Sequence, residues 1–218
     1  MNNLTPRLKR IYDMTPQCQS CVDVGCDHGY LVCALLQNGK IQKGIASDIS
    51  APSLDKARVF AASQGLDITC ICTDGLKDVP ECDTVVIAGM GGILMTEILG
   101  ECSWVAKKGK TALLQPMSHA HVLRNWLYQN GYEIVREQAV TEGKRVYTVM
   151  LVTFTGVVKE IPPIQQYLGS LVADFDDNAE AYAEKVRYRL QKQRDGKALQ
   201  GEDTAEIDRL MYQIDLIL

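Results

Sequence analysis

Short apolar runs alternate with helical repeats of apolar residues between residues 20 and 130. The runs predict strands at Ser20–Val24, Lys43–Ser47, Asp67–Cys72, Asp83–Ala88 and Lys110–Gln115. The stretches between them place apolar side chains three or four positions apart and predict helices at Tyr30–Gln37, Ser53–Gln64, Gly92–Leu99 and His119–Gln129. Because strands that alternate with helices form parallel sheets covered on both faces, the pattern predicts an α/β fold.

After residue 131 the pattern changes to two consecutive strands. Tyr132–Val140 and Lys144–Phe154 are separated by the tight turn Thr141-Glu142-Gly143, which predicts an antiparallel hairpin. Parallel strands that end in an antiparallel pair are typical of class I methyltransferases rather than of dehydrogenases. The predicted fold class is therefore a Rossmann-like class I methyltransferase sheet.

The C-terminal part of the chain is predicted to be helical. The sequence Ile-Pro-Pro at 161–163 interrupts the chain, because proline continues neither a helix nor a central strand. Three apolar stripes follow within 164–175, 179–190 and 207–217, and Gly196 and Gly201 are expected to separate the last two. We therefore expect a methyltransferase domain over residues 1–158 and a helical or coiled-coil appendage over 159–218.

Composition and charge narrow the function only slightly. The 218 residues carry a net charge of −4, which does not indicate a nucleic-acid-binding protein. No run of about 18 apolar residues predicts a membrane span, and the polar first residues are unlike a signal peptide. We expect a cytoplasmic protein without membrane contacts. Of the eight cysteines, Cys18 and Cys21 have a metal-like spacing, but no second pair completes four ligands, so we expect structural thiols and no metal.

A glycine-containing turn follows the first predicted strand. It has an acid, Asp23, before the turn, then Gly25 and Gly29 with Asp27-His28 between them. A dehydrogenase would carry Gly-x-Gly-x-x-Gly here, and would bind a pyrophosphate at the helix N-terminus. An acidic turn instead suits a ligand that lacks phosphate and carries a positive charge. S-adenosyl-L-methionine is the natural candidate for this cofactor.

The carboxyl ends of the other strands supply further candidate contacts, since open α/β sheets bind ligands at that edge. Asp48 lies about twenty residues past the turn, where a carboxylate can accept both ribose hydroxyls. Asp74 could accept from the adenine amino group, and the glycines after residue 88 would let a substrate approach the sulfonium closely. The predicted cofactor-binding residues are Asp23, Gly25, Asp27, His28, Gly29, Tyr30, Asp48, Ile49, Asp74, Gly75, Leu76, Ala88, Gly89, Met90 and Gly91.

Each of these residues also has an explanation that needs no ligand. Asp48 or Asp74 could cap the following helix, and Gly91-Gly92 could be only a tight turn. Four such features at successive strand ends, in the right order, favour one shared cofactor site.

Together these motifs resemble the bacterial tRNA (adenine-22, N1)-methyltransferase family. The resemblance rests on Asp-x-Gly-x-Asp-His-Gly-Tyr-Leu from residue 23, Ser-Asp-Ile from 47, Thr-Asp-Gly-Leu from 73, Ile-Ala-Gly-Met-Gly-Gly from 87, Leu-Gln-Pro-Met from 114 and Arg-x-Trp-Leu from 124. It is close up to about residue 155, although Val32 stands where the family has proline. Ala-Gly-Met-Gly-Gly replaces the Asn-Pro-Pro-Tyr of enzymes that grip an exocyclic amine, which argues against amino-group methylation.

The resemblance implies methyl transfer from S-adenosyl-L-methionine to N1 of an adenine in tRNA. Because N1 carries an in-plane lone pair, positioning would supply most of the catalysis, and a paired base would have to be flipped out. His28 is the candidate catalytic residue, as a hydrogen-bonding partner of the base or by orienting the turn; alternatively it only caps the next helix. The predicted substrate-binding residues are Arg7, Gln115, Pro116, Lys185, Arg187, Arg189, Lys192 and Arg194.

The basic segment Lys185–Lys197 has two interpretations. It carries six bases and one acid, and by charge alone it is a solvated helical face with salt bridges. With tRNA as the expected partner, it and Lys107-Lys108-Lys110 become candidates for phosphate contacts. His119 and His121 are expected at the surface, behind Ser118 as the helix cap.

Two other functions stay open at this point. One is a class I methyltransferase that acts on another RNA, a protein or a metabolite. The other is a non-catalytic RNA-binding protein. In either case we expect a monomer or a weak dimer.

Overall fold

The computed structural model describes residues 4–173 and 175–218, and it contains a seven-stranded sheet. The strands are β1 (Ser20–Val24), β2 (Lys43–Asp48), β3 (Thr69–Cys72), β4 (Thr84–Gly91), β5 (Thr111–Ser118), β6 (Tyr132–Glu142) and β7 (Arg145–Phe154). Their spatial order is β3-β2-β1-β4-β5-β7-β6. Strands β1 to β5 pair in parallel, whereas β7 runs antiparallel to both β5 and β6. The predicted class I methyltransferase sheet is confirmed.

Helices cover both faces of this sheet and form the C-terminal part of the chain. They are α1 (Pro6–Met14), α2 (Tyr30–Gln37), α3 (Ala51–Ser63), α4 (Gly92–Gly100), α5 (Ala120–Gln129), α6 (Pro163–Leu168), α7 (Asp177–Leu199) and α8 (Ala205–Asp215). Because β1 is flanked by β2 on one side and β4 on the other, the strand order reverses between β1 and β4. In folds of this type a ligand binds at that reversal, beyond the carboxyl ends of the strands.

Alternation along the strands divides the core into two layers. Val22 and Val24 of β1 pack in one buried cluster with residues of α4 and α5, while Cys21 packs in the other with α1, α2 and α3. Strand β4 follows the same rule, with Ile87 in the first cluster and Val86 in the second. Successive side chains of a strand point to opposite faces, so strands buried on both faces have continuous apolar runs.

The C-terminal helices share a third buried cluster with the hairpin. Leu190 of α7 and Ile214 of α8 lie in one cluster with Ala139 of β6 and Val146 of β7. Two expectations about this region are wrong. Gly196 lies inside α7, which ends at Leu199, so only the turn before α8 separates the last two helices. Helix α6 ends at Leu168 instead of extending to residue 175, because Gly169 adopts a φ of +65°.

A buried ion pair, here called the Arg124–Glu137 node, joins the sheet to the C-terminal helices. Its carboxylate is on β6, and its fully buried guanidinium is on α5. The guanidinium donates to Glu137 Oε1 from Nε at 3.0 Å and from Nη2 at 2.7 Å, to Gln166 O and Tyr167 O at 2.8 Å each, and to Tyr182 Oη at 3.2 Å. Glu137 also accepts from Thr148 Oγ1 at 2.6 Å and from Ser170 N at 3.1 Å. The node therefore ties α6 and α7 to α5 and the hairpin.

Three features of the described residues bear on the expectations about membranes, metals and thiols. Over 4–173 and 175–218, none of the helices combines the length and apolar character that crossing a bilayer requires. The same residues hold no group of three or more His, Cys, Asp or Glu side chains placed to bind a metal ion. Cys33 is a free, buried thiol, and burial raises its pKa to about 11.

Candidate active site at the carboxyl ends of the strands

Direct contacts join the turn after β1 to the ends of β2 and β4. The amide of Gly25 donates to Ser47 O at 2.8 Å, and the amide of Asp27 donates to Asp48 Oδ2 at 3.3 Å. Gly25 adopts a φ of +71°, and a Cβ added there would lie 2.4 Å from Met90 Cε. The positive φ favours glycine here, and an added Cβ would also have to displace the flexible end of the Met90 side chain.

Asp48 forms a bridge rather than a helix cap. Its Oδ1 accepts from Ser50 N at 2.9 Å, while its Oδ2 accepts from the turn after β1. The side chain of Ser50 caps α3 instead, accepting from Ser53 N. Asp48 is half-buried and the neighbouring Ile49 is 73% exposed, so the carboxylate lies at the edge of an open surface with an apolar side chain beside it. This arrangement suits a ribose with two adjacent hydroxyls.

The carboxylate of Asp23, on β1, is buried, and none of the described residues donates a hydrogen bond to it. Burial, and then the nearby carboxylate of Asp48, raise the pKa of Asp23 to about 7. A buried carboxylate without partners is unfavourable unless a cation or donor arrives. Asp23 therefore fits the ammonium group of an amino-acid ligand.

The end of β3 completes this side of the site. Ser47 Oγ donates to Gly75 O at 3.1 Å, which fixes the turn after β3 against β2. Leu76 is buried beneath the turn, whereas the carboxylate of Asp74 is exposed and pairs with Lys77 Nζ at 3.1 Å. Asp74 is thus accessible to a ligand's amino group, although it has a competing partner.

On the other side of the reversal, the end of β4 meets β5 and α1. Gln115 is fully buried, and its Oε1 accepts from Gly89 N at 3.1 Å and from Arg7 Nη1 at 2.6 Å. A Cβ at Gly89 would lie 3.1 Å from Arg7 Nη1. Arg7 Nε is buried and has no hydrogen-bond partner among the described residues, and Glu142 Oε1 lies 3.8 Å from it. The structure thus brings Arg7 to the glycine patch, the segment 89–92 at the end of β4. There, Arg7 Nε is a donor without a hydrogen bond to the described residues.

The remaining predicted residues of this edge lie close by. Ala88, Met90 and Gly91 are half-buried around the glycine patch, and Pro116 is buried on β5, paired with Met90. The sequence predicted a site at these strand ends, and in the structure hydrogen bonds join those ends.

His28 does not cap α2. The residue before α2 is Gly29, in the left-handed conformation, and no side chain caps the helix. His28 Nδ1 instead lies 2.7 Å from Asp27 Oδ2, and its ring stacks on Tyr30 at 5.2 Å between centroids. Asp27 itself has a φ of +48°, which is unusual for a residue with a side chain. The pair fixes the conformation of the turn, with His28 half-buried at its surface.

The basic residues of α7 divide into two faces. Arg187 binds Asp215 through Nε at 2.9 Å, and Arg194 Nε lies 3.1 Å from Asp208, so both pair with α8. Lys185, Arg189 and Lys192 face away from α8 and line a groove of about 960 Å³ against the β6–β7 turn. Lys185 Nζ donates to Val146 O, and burial, followed by Arg189 and Arg145, lowers its pKa to about 8.

Other residues of this groove were not among the predicted site residues. They include Met117, Lys144, Arg145, Tyr147 and Tyr188. The cationic residues Lys144 and Arg145 lie in the β6–β7 turn and at the start of β7, and no parallel strand precedes them, so the sequence gave no signal for them. In contrast, Lys107 and Lys110 pair with Glu81 at the amino end of β5, at the opposite edge of the sheet, which makes them unsuitable for contacts at this site.

Comparisons with known proteins agree with this architecture. The family profile described as "Methyltransferase domain" matches residues 4–150. The tRNA (adenine(22)-N(1))-methyltransferase of Bacillus subtilis (strain 168) is 34% identical over 153 residues, which cover 68% of this chain and 64% of that protein. The chain's match thus spans slightly less than two thirds of that relative.

Solved structures match over nearly the whole chain. A Streptococcus agalactiae protein of the NADB-Rossmann superfamily has a TM-score of 0.87 at 26% identity, with 99% of this chain and 97% of that chain covered. The B. subtilis m1A22 tRNA methyltransferase TrmK has a TM-score of 0.81 at 24% identity, with 98% and 94% covered. Because the family profile covers more than half of its length, the chain belongs to the methyltransferase-domain family.

Proposed function

We propose that the protein transfers a methyl group from S-adenosyl-L-methionine to N1 of an adenine at position 22, in the D-loop region of tRNA. The observation that carries this proposal is the convergence of the β1, β2 and β3 termini at one open edge, linked by the bonds from Gly25 to Ser47, Asp27 to Asp48 and Ser47 to Gly75. Met90 at the end of β4 lies beside Gly25. The similarity to the B. subtilis tRNA (adenine(22)-N(1))-methyltransferase supports it.

The residues of this edge fit the parts of the proposed cofactor. Asp23 would hold the ammonium group, the bridging carboxylate of Asp48 would accept the ribose hydroxyls, and Asp74 would accept from the adenine. Gly25 and Gly29 both adopt left-handed conformations, with φ of +71° and +68°, which glycine adopts without strain and which give the turn its path beside the proposed site. When bound, the cofactor supplies an electrophilic methyl group on a sulfonium.

On the substrate side, the residues present would act by positioning. The lone pair of N1 would take up the methyl group that the cofactor supplies, and the base would become a cation. This step transfers no proton, and it needs alignment more than general-base help. Gln115 holds the Gly89 amide and Arg7 in fixed positions beside the glycine patch, where the target base would enter.

The rest of the tRNA would lie along the groove between α7 and the β6–β7 turn. Lys185, Arg189 and Lys192 supply charge there, together with Arg145 from the turn. Arg187 and Arg194 already bind carboxylates of α8, so they would contribute less. In this proposal residues 1–158 carry the chemistry and 159–218 bind tRNA. The protein would act in the cytoplasm as a monomer or weak dimer, since the apolar stripes of α7 and α8 bury one another.

The test is methyl transfer from labelled S-adenosyl-L-methionine to an unmodified tRNA transcript, with nuclease digestion to identify the product. We expect label in N1-methyladenosine. Asp48→Ala should weaken S-adenosylhomocysteine binding by roughly 10- to 150-fold, since hydrogen bonds to a charged group contribute ~1.5–3 kcal/mol. The matched control is Asp55→Ala, at an exposed acid on α3. It should change neither the label in N1-methyladenosine nor the S-adenosylhomocysteine affinity. Label in another RNA, a protein or a metabolite, or no label, would refute the proposed reaction.

A further inference from the structure

A second cavity, of about 310 Å³, lies beside the proposed methyl-transfer site. Residues 116–121 form one wall, and α6 and α7 form the others. Its closeness to the glycine patch is set by backbone packing, because Gly91 pairs with Ser118 in the sheet and a Cβ added to Gly92 would lie 2.5 Å from His119 O. A ligand in this cavity would therefore be adjacent to the substrate that the patch receives.

The wall next to α6 is aromatic. The rings of His121 and Tyr167 are stacked, with centroids 4.7 Å apart and planes within 6° of parallel. Burial, followed by the positive charges around it, including Arg124 and Arg189, lowers the pKa of His121. The imidazole is therefore neutral near pH 7, and it offers a π-face rather than a charge.

The opposite wall is cationic. Lys185 and Arg189 of α7 both line the cavity, and they also line the larger groove beside it. Arg189 is exposed and has no ion pair among the described residues, in contrast to Arg187 on the α8 side of the same helix. One wall thus suits a planar ring and the other suits an anion, at a volume within the usual range for small-ligand sites.

The entrance holds a strained residue. His119 precedes α5 with a φ of +53°, an uncommon conformation for a residue with a side chain. Its Nδ1 lies 3.1 Å from Ser118 Oγ, and neither side chain caps the helix, so Ser118 is not the expected helix cap. Backbone strain of this kind is concentrated at binding sites, where the surrounding structure maintains it.

We propose that this cavity binds a nucleotide of the tRNA directly adjacent to the target adenine, with its base stacked on the His121–Tyr167 wall and its phosphate against Lys185 and Arg189. The inference rests on the proposed function. Extruding one adenine from the D-loop region unstacks its neighbours, and unstacked bases bind preferentially to aromatic platforms with nearby cations. The cavity would then fix the register of the RNA and so select which adenine reaches the glycine patch.

The experiment pairs RNA and protein changes. Three tRNA transcripts are compared: intact, abasic on the 5′ side of the target adenine, and abasic on its 3′ side. For one abasic transcript, wild-type kcat/KM should fall about 5- to 150-fold, the effect of losing one stacked base. The kcat/KM of His121→Ala on intact tRNA should fall by a similar factor. On that abasic transcript, its kcat/KM should fall no more than about twofold further. Tyr212→Ala, an exposed tyrosine of α8, is the control and should match wild type on all three.

Each result separates the two proposals. Methylation of intact tRNA by the wild-type protein tests the proposed function. The cavity is tested separately, by whether the loss from His121→Ala and the loss from one abasic position fail to multiply. If turnover is absent, dissociation constants for the same transcripts complete the same cycle. Losses that multiply independently for both abasic positions, or unchanged kinetics of His121→Ala on intact tRNA, would overturn the assignment. S-adenosylhomocysteine affinity should be unchanged in His121→Ala, which confirms that the variant is folded.

Discussion

Replacing Arg124 with methionine should separate tRNA binding from cofactor binding. The change keeps an unbranched apolar side chain in the fully buried position, but it removes the guanidinium and its bonds to Glu137, Gln166, Tyr167 and Tyr182. Glu137 is then left as a buried carboxylate without its counter-charge. Breaking one side of a buried ion pair costs about 3–5 kcal/mol, which is a large part of a stability of roughly 5–15 kcal/mol for a protein of ordinary stability.

The structure indicates which bonds would be lost first. The two carbonyl partners of Arg124 belong to α6 and Tyr182 belongs to α7, so the loss should loosen the C-terminal helices rather than the sheet. We expect the urea midpoint to fall by the equivalent of about 4 kcal/mol. Amide exchange should accelerate mainly in α6, α7 and α8. At low temperature, without denaturant, S-adenosylhomocysteine affinity should stay within about twofold of wild type, while tRNA affinity falls at least about tenfold.

Two comparisons make this prediction refutable. Arg136→Met, an exposed arginine of β6, should change stability by less than about 0.5 kcal/mol. The double variant Arg124→Met with Glu137→Met should be more stable than Arg124→Met alone, because it no longer buries a lone charge. A loss below about 1 kcal/mol for Arg124→Met, or a double variant no more stable than the single one, would show that the ion pair does not hold the appendage in place.

Two further changes test the cofactor edge. Gly25→Ala should reduce S-adenosylhomocysteine affinity, measured by calorimetry, at least about tenfold, because it adds ~1–2 kcal/mol of left-handed strain and displaces Met90. The control Gly39→Ala has a similar φ but open space around it, and it should leave that affinity unchanged. Because burial raises the pKa of Asp23 to about 7, that affinity should rise between pH 6 and 8 as the carboxylate ionises, and Asp23→Asn should abolish the rise. The folded free protein binds this proton more tightly than the unfolded chain, so the contribution of Asp23 to stability should fall from about pH 4 to 7, which thermal unfolding would detect.

The sheet and the cofactor edge could be predicted because local signals determine them. Apolar runs set the strands, glycines mark turns that need a positive φ, and parallel topology brings carboxyl ends to one edge. Asp48 was therefore predicted as a site residue from its place at the end of β2, without knowledge of its partners. Its bridge to Asp27 was not predictable, because that contact depends on the exact path of the turn.

The two basic faces of α7, one of them part of the proposed tRNA surface, could have been predicted from the sequence but were not distinguished. Lys185, Arg189 and Lys192 are spaced by four and three residues and share one face of α7, while Arg187 and Arg194 are seven apart and share another. Helical periodicity alone could have separated these two faces. It could not have shown that α8 lies against the second, because that packing depends on the loop after α7 and on the shared buried cluster.

The two binding activities therefore depend on different kinds of contact. The cofactor edge is built mainly from short turns after β1, β2 and β3, whose bonds join neighbouring strands. The proposed tRNA surface depends on long-range contacts that meet at Tyr182. Its hydroxyl binds Arg124, its ring packs near Lys185, and the residue lines the cavity beside α5. Because Tyr182 takes part in all three contacts, a substitution in the Arg124–Glu137 node should also change the proposed tRNA surface. The turns at the strand ends should keep their conformation. In the proposed complex, the helical appendage would thus be a wall of the substrate site as well as a surface for tRNA phosphates.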